Sequence, residues 1–231
     1  GVPDEQFKRN LDRAERKFDI MDTLGTSMML VCASVSPHAI DDDARAAAQL
    51  HAMAERAARR NIRLGYEALA WSSRVNHYEH AWKIVREAAH PHLGIILDSF
   101  HILSLGDDPA AIADIPGDKI FFLQMADAPR LSMDVLQWSR HYRNFPGQGQ
   151  LELPRFLEQV LVAGYTGSLS LEIFNDIFRE APNRPLAVDA MRSLLYLEEQ
   201  TRLRLEGAAT DSSRPLNERA RTVHRIELFD P

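Results

Sequence analysis

The chain has 231 residues, 45% hydrophobic and 26% charged, the balance of an ordinary soluble globular protein with room for one large domain or two small ones. A formal charge of −6, with no basic cluster beyond Arg59-Arg60, argues against a nucleic-acid partner. No apolar stretch approaches the 18 residues of a membrane span and no secretory signal is visible, so the expectation is a cytoplasmic, enzyme-sized protein with no membrane partner.

In chain order, Pro3 to Asp22 places Phe7, Leu11, Phe18 and Met21 at roughly helical spacing and predicts an amphipathic helix ending near Gly25. Ser27 to Ser34 (SMMLVCAS) is the first apolar strand, and its Cys32 is expected to be a buried core thiol in a reducing compartment. Asp41 to Arg60 is alanine-rich, acidic at its start and basic at its end, which suits the helix dipole. Ile62 to Trp71 is the second strand and carries Glu67. Tyr78 to Ala89 is a helix closed by His90-Pro91. Leu93 to His101 is the third strand, a continuous apolar run that ends in Asp98. Asp108-Pro109 opens a short helix, with proline at its favoured first position. Lys119 to Ala126 is the fourth strand, with Gln124 near its end. An irregular segment, Asp127 to Gln150, follows; then come a helix from Pro154 to Ala163, a fifth strand from Gly167 to Asn175 carrying Glu172, and a closing helix from Ala187 to Leu205. Strand and helix alternate throughout, so the fold class is α/β with a parallel sheet.

Glu67, Asp98, Gln124 and Glu172 each follow an apolar strand core on four consecutive strands, at intervals of 31, 26 and 48 residues. In a barrel of parallel strands the C-terminal ends surround one mouth, and three carboxylates with one amide gathered there would repel one another unless a cation sat among them. All four donors are oxygen, which favours a hard divalent ion, Mg2+ or Mn2+ with Co2+ also admissible, over zinc. One such acid alone is more simply a helix N-cap or a strand-end ion pair; four in series reverse that preference. His101, three residues after Asp98, suits an acid/base or substrate-orienting group. The Trp138–Gly149 segment (WSRHYRNFPGQG) brings a hydroxyl, Ser139, and an arginine, Arg143, of the kind that grips a substrate carboxylate with two prongs. His38, His51, His90 and His92 show no metal-ligand spacing and read as surface or core residues.

These residues resemble a known family. Glu, Asp, a third donor and Glu on consecutive strands is similar to the metal site of the xylose-isomerase-like TIM (β/α)8 barrels, the superfamily of sugar phosphate isomerases and epimerases. More narrowly, EALAW around Glu67, LDSFH around Asp98, FLQMADAP around Gln124, SRHYRNFPGQG and SLEIFND around Glu172 resemble the bacterial 3-dehydroshikimate dehydratases, in the form fused to a 4-hydroxyphenylpyruvate-dioxygenase-like domain. Much of the superfamily has histidine where this chain has Gln124, which fits the fused dehydratase branch better than the epimerases. The resemblance implies conversion of 3-dehydroshikimate to protocatechuate and water in quinate and shikimate catabolism. It implies a divalent metal held by Glu67, Asp98, Gln124 and Glu172, with His101 and Glu172 as acid/base groups and Arg143, Ser139 and His101 on the substrate. A sugar (phosphate) isomerase or epimerase, or a catalytically silent barrel that scaffolds a fused partner, are the rival readings; self-association is open.

Only five strands can be found, and Glu172 belongs on the eighth in that family. The chain is therefore expected to be a barrel lacking its first three βα units, with residues 1–205 as the catalytic domain. Residues 206–231, including Pro215 and the HRIELF run, are expected to be a linker or tail toward a second domain.

Overall fold

A computed structural model describes residues 1–210 of the chain. The described residues fold into two compact units, the first formed by residues 1–97 with 119–121 and the second by 98–118 with 122–210. Each unit is built from strands followed by helices.

In the first unit, α1 (Asp4–Leu24) is followed by β1 (Met28–Cys32), α2 (Asp43–Ala58), β2 (Arg63–Glu67), α3 (Tyr78–Ala88) and β3 (Leu93–Asp98, whose last residue belongs to the second unit). The helices form where the apolar spacing predicts them. Leu11, Ala14, Phe18 and Met21 make the buried stripe of α1, and Gly25 ends the helix in the left-handed conformation that glycine adopts without strain. Asp42 caps α2, its carboxylate accepting from the Arg45 amide at 2.9 Å. The strands pair in parallel and in chain order, with Leu30 opposite Gly65 and Gly65 opposite Gly94. The glycine pair in adjacent strand interiors has a packing reason. A β-carbon at Gly65 would lie 2.5 Å from Ile96 Cγ1, and one at Gly94 would lie 2.6 Å from both the Lys119 carbonyl oxygen and the Phe121 ring.

β2 and β3 are buried almost throughout, as strands of a parallel sheet covered by helices are. β1 is not: Leu30 and Cys32 are exposed. The expectation of a buried thiol is corrected here. β1 has β2 as its partner on one flank, and among the described residues no other named strand covers the opposite flank. Of the four histidines set aside as structural, His90 is buried, His92 half-buried, and His38 and His51 exposed.

In the second unit, α4 (Ser99–Ser104) follows Asp98 directly, then a 3-10 turn at Pro109–Asp114, β4 (Ile120–Met125, whose first two residues belong to the first unit), α5 (Val135–His141), α6 (Leu153–Val162), β5 (Leu169–Leu171), α7 (Asp176–Glu180) and α8 (Asn183–Thr210). β4 and β5 are parallel neighbours, Leu123 opposite Leu169 and Met125 opposite Leu171. α6 packs against α8 and against the 3-10 turn, and Asp108 caps that turn on the Ala110 amide at 3.0 Å.

Every expected strand exists, and every one is shorter than the apolar run that announced it. The runs around Glu67 and Asp98 continue past the last ladder pair because the chain stays buried as it leaves the strand: Ala68, Leu69 and Ala70 are core residues in a loop, and Phe100 to Ile102 are core residues of α4. His101 therefore sits in a short helix, not on the strand. Part of the segment expected to be irregular forms α5. α8 begins at Asn183 and continues to Thr210, so the first residues of the expected linker are helical, while Pro215 and the HRIELF run lie outside the described residues. Among the described residues no helix is long and apolar enough to cross a membrane.

Candidate functional site

Six of the seven residues singled out from the sequence lie in the second unit: Asp98, His101, Gln124, Ser139, Arg143 and Glu172. They meet around one guanidinium. Arg143 is 0% exposed, although arginine is among the residues least often buried, so its surroundings must supply both charge and hydrogen-bond acceptors. Its Nη1 donates to Asp98 Oδ2 at 2.8 Å, to Glu172 Oε2 at 2.9 Å and to the Glu172 carbonyl at 3.2 Å. Its Nε and Nη2 both donate to Ser139 Oγ, at 3.2 and 2.9 Å. The rings of Phe100 and Phe174 flank the guanidinium carbon, with centroids 4.7 and 5.3 Å away.

Each member is placed by local structure. Asp98 ends β3 and caps α4, its Oδ1 accepting from the Phe100 amide at 2.7 Å, which leaves Oδ2 for Arg143. His101, one turn into α4, brings Nε2 to 3.5 Å from the same Oδ2. Gln124 is the next-to-last residue of β4. Glu172 follows β5, its amide donating to the Met125 carbonyl at 3.2 Å, so that its side chain lies beside that of Gln124. Gln124 Nε2 donates to Glu172 Oε1 at 2.8 Å, and this fixes the amide orientation. Gln124 Oε1 is buried and, among the described residues, accepts no hydrogen bond, which is costly unless another donor or a cation occupies its lone pairs.

Burial alone would raise the Asp98 carboxyl. The charges of Arg143 and His101, with the hydrogen bonds from Arg143 and the Phe100 amide, outweigh it and hold Asp98 below the usual carboxylate range. Glu172 goes the other way: burial, then the neighbouring Asp98 charge, push it up to about 7 against the pull of Arg143. Burial, aided by Arg143 and Arg140 and opposed by Asp98, lowers His101 to about 4, so its ring is neutral near pH 7. Two carboxyls pushed apart and a neutral imidazole form a set able to hold a cation and to take or give a proton.

The seventh residue, Glu67, ends β2 in the first unit. It is buried, pairs with Ile96 of β3 in the ladder, and accepts from the Cys32 thiol at 3.5 Å. Three contributors were not foreseen from the sequence: Phe100 and Phe174 beside the guanidinium, and Asn175, whose Nδ2 donates to the Arg143 carbonyl at 3.1 Å. The phenylalanines read as core residues by composition alone. Asn175 carried a signal, because an Asn-Asp pair after a strand is a usual helix cap, and Asn175 does cap α7.

This fold and these strand ends define a class. Residues 1–197 match the family described as the xylose isomerase-like TIM barrel, and the chain belongs to it. Five strands are described where a barrel of this kind has eight, in agreement with a barrel short of three βα units. The chain is 60% identical over 206 residues to a 3-dehydroshikimate dehydratase of Pseudomonas putida and 59% identical to one of Pseudomonas aeruginosa, covering 89% of this chain in each case. It is also similar to a solved structure titled as a fusion of a xylose isomerase-like TIM barrel with a 4-hydroxyphenylpyruvate dioxygenase, with a TM-score of 0.88 and 57% identity over 94% of this chain. The chain spans about a third of the length of these relatives, 32% of each dehydratase and 35% of the fusion protein.

Proposed function

We propose that this chain carries the metal- and substrate-binding part of a 3-dehydroshikimate dehydratase, a hydro-lyase that forms protocatechuate and water. The observation that supports it most is the cluster of Asp98, Gln124, Glu172, Ser139 and Arg143, residues that lie within the motifs carrying the dehydratase resemblance, in a chain 60% identical to a protein of that name.

Asp98, Gln124 and Glu172 are the proposed metal donors, with Glu67 as the fourth that the family pattern assigns. The residues fit such an ion: the donors are all oxygen, two are carboxylates close enough to share one guanidinium proton donor, and Gln124 Oε1 is buried without an acceptor role filled. A divalent ion there, Mg2+, Mn2+ or Co2+, would polarise the substrate ketone and stabilise the negative charge that develops beside it. The chain's own groups do the rest. His101, neutral and buried, can accept a proton at a ring nitrogen; Glu172, with its carboxyl near 7, can accept or return one. Removal of a proton beside the ketone leaves the electron pair in an enolate. Its collapse expels the neighbouring hydroxyl, which departs as water once protonated, and loss of a further ring proton to oxygen gives the aromatic diol. Arg143 and Ser139 are the proposed contacts for the substrate carboxylate and hydroxyls. We place the reaction in the cytoplasm, and similarity to a fusion protein supports a dioxygenase-like domain in the same polypeptide.

The test is the appearance of protocatechuate from 3-dehydroshikimate when Mg2+ or Mn2+ is added to the polypeptide that carries these residues. Loss of product on Glu172→Ala, with the fold retained, is expected. Turnover of keto-sugars in place of 3-dehydroshikimate would transfer the assignment to an isomerase.

A further inference from the structure

Arg143 lies outside any regular element, in the stretch between α5 and α6, yet its guanidinium is held on five hydrogen bonds. Something must hold its backbone. On one side, Asn144 and Asp127 exchange both backbone hydrogen bonds, Asp127 N to Asn144 O at 2.9 Å and Asn144 N to Asp127 O at 2.7 Å. On the other, the Arg143 amide donates to the Phe174 carbonyl at 3.1 Å, and Tyr142 and Asn175 form a second antiparallel bridge.

Asp127 does more than share this bridge. Its carboxylate is buried, 2% exposed; among the described residues no cationic side chain is bonded to it, and four backbone amides satisfy it instead. Oδ1 accepts from Ala128 at 2.8 Å and from Leu151 at 3.0 Å, and Oδ2 accepts from Gly147 at 3.0 Å and from Gly149 at 2.9 Å. The turn is shaped to bring those amides in. Gly147 has φ +83°, and a β-carbon at Gly149 would stand 2.3 Å from Asp127 Oδ1. A carboxylate is acceptor-only, and all four partners are donors. An amide at this position would direct its NH2 at least at one of those donors, two groups that repel.

We propose that Asp127 is a positioning residue: it gathers the turn of residues 144–151 and thereby holds Arg143 on Asp98 and Glu172. That this matters for turnover rests on the functional reading above. The holding itself does not, and can be read without activity. In the 15N spectrum of the whole chain, the Arg143 Nε–H, buried and donated to Ser139, should exchange slowly with water. Asp127→Asn, folded by far-UV circular dichroism, should speed that exchange at least about tenfold while the Leu157 amide in α6 keeps its rate. An unchanged Arg143 rate in folded Asp127→Asn overturns the proposal. If that variant does not fold, exchange in the unsubstituted chain under mild denaturant decides. The Gly149 and Leu151 amides and the Arg143 Nε–H should then open together with one denaturant dependence, and an Arg143 opening independent of theirs overturns the proposal.

Discussion

At the scale of the residue, a buried guanidinium between two carboxylates sets the sharpest expectations. Arg143→Met removes the cation and leaves the fully buried Asp98 carboxylate uncompensated, an arrangement that costs about 3–5 kcal/mol when one partner of a buried pair is lost. Urea denaturation of the two proteins measures it. Arg143→Lys should recover part of that stability but not the function. A point-like ammonium cannot bond Ser139, Asp98 and Glu172 together, so kcat/KM for 3-dehydroshikimate should fall with Arg143→Lys in the polypeptide that shows the activity. His90 gives a separate expectation in the first unit. Its Nδ1 accepts from the His92 amide at 3.0 Å, so the proton of the neutral ring sits on Nε2 and faces Glu55 Oε1 at 3.1 Å. Burial, opposed by Glu55 and aided by His51 and His92, lowers its pKa below the usual 6.5. Below pH 6.5 the unfolded chain takes up a proton that the folded chain resists, so stability falls with falling pH across that window. In His90→Gln this part of the slope should disappear from pH-dependent thermal melts.

At the scale of the element, the strands are positioned by what they cannot accommodate. Gly94 faces the Lys119 carbonyl, a backbone atom that cannot swing aside as a side chain would. Gly94→Ala should therefore cost about 1–3 kcal/mol by overpacking, visible as a lowered Tm with an unchanged far-UV spectrum. β4 and β5 show how an element serves the site. A parallel pair in register brings Gln124 and Glu172 to the same end, and one hydrogen bond then orients both side chains. The strand-end acids were legible in the sequence because a polar residue closing an apolar run is rare and recurs here at βα intervals. Asp127 was passed over because an acid just beyond a strand ordinarily meets water, and its four backbone partners come from residues up to 24 positions away.

At the scale of the whole molecule, the proposed ion gives a test that does not depend on turnover. Mn2+ should bind with about one-to-one stoichiometry, followed by its paramagnetic resonance signal, and Glu67→Ala, Asp98→Ala or Glu172→Ala should each abolish that binding while leaving the fold intact. Retained Mn2+ affinity in all three variants would remove the metal from the proposal. The sequence by itself determined the α/β class, the order of strands and helices and the family, because apolar period, chain order and residue chemistry are local properties. Only the tertiary structure decided where the strands stop, that Cys32 is exposed, that His101 rides a helix, and that Arg143 sits on Asp98 and Glu172. Those outcomes depend on which distant residues cover a surface or face a charge, and burial and electrostatic pairing are set by neighbours in space, not in sequence.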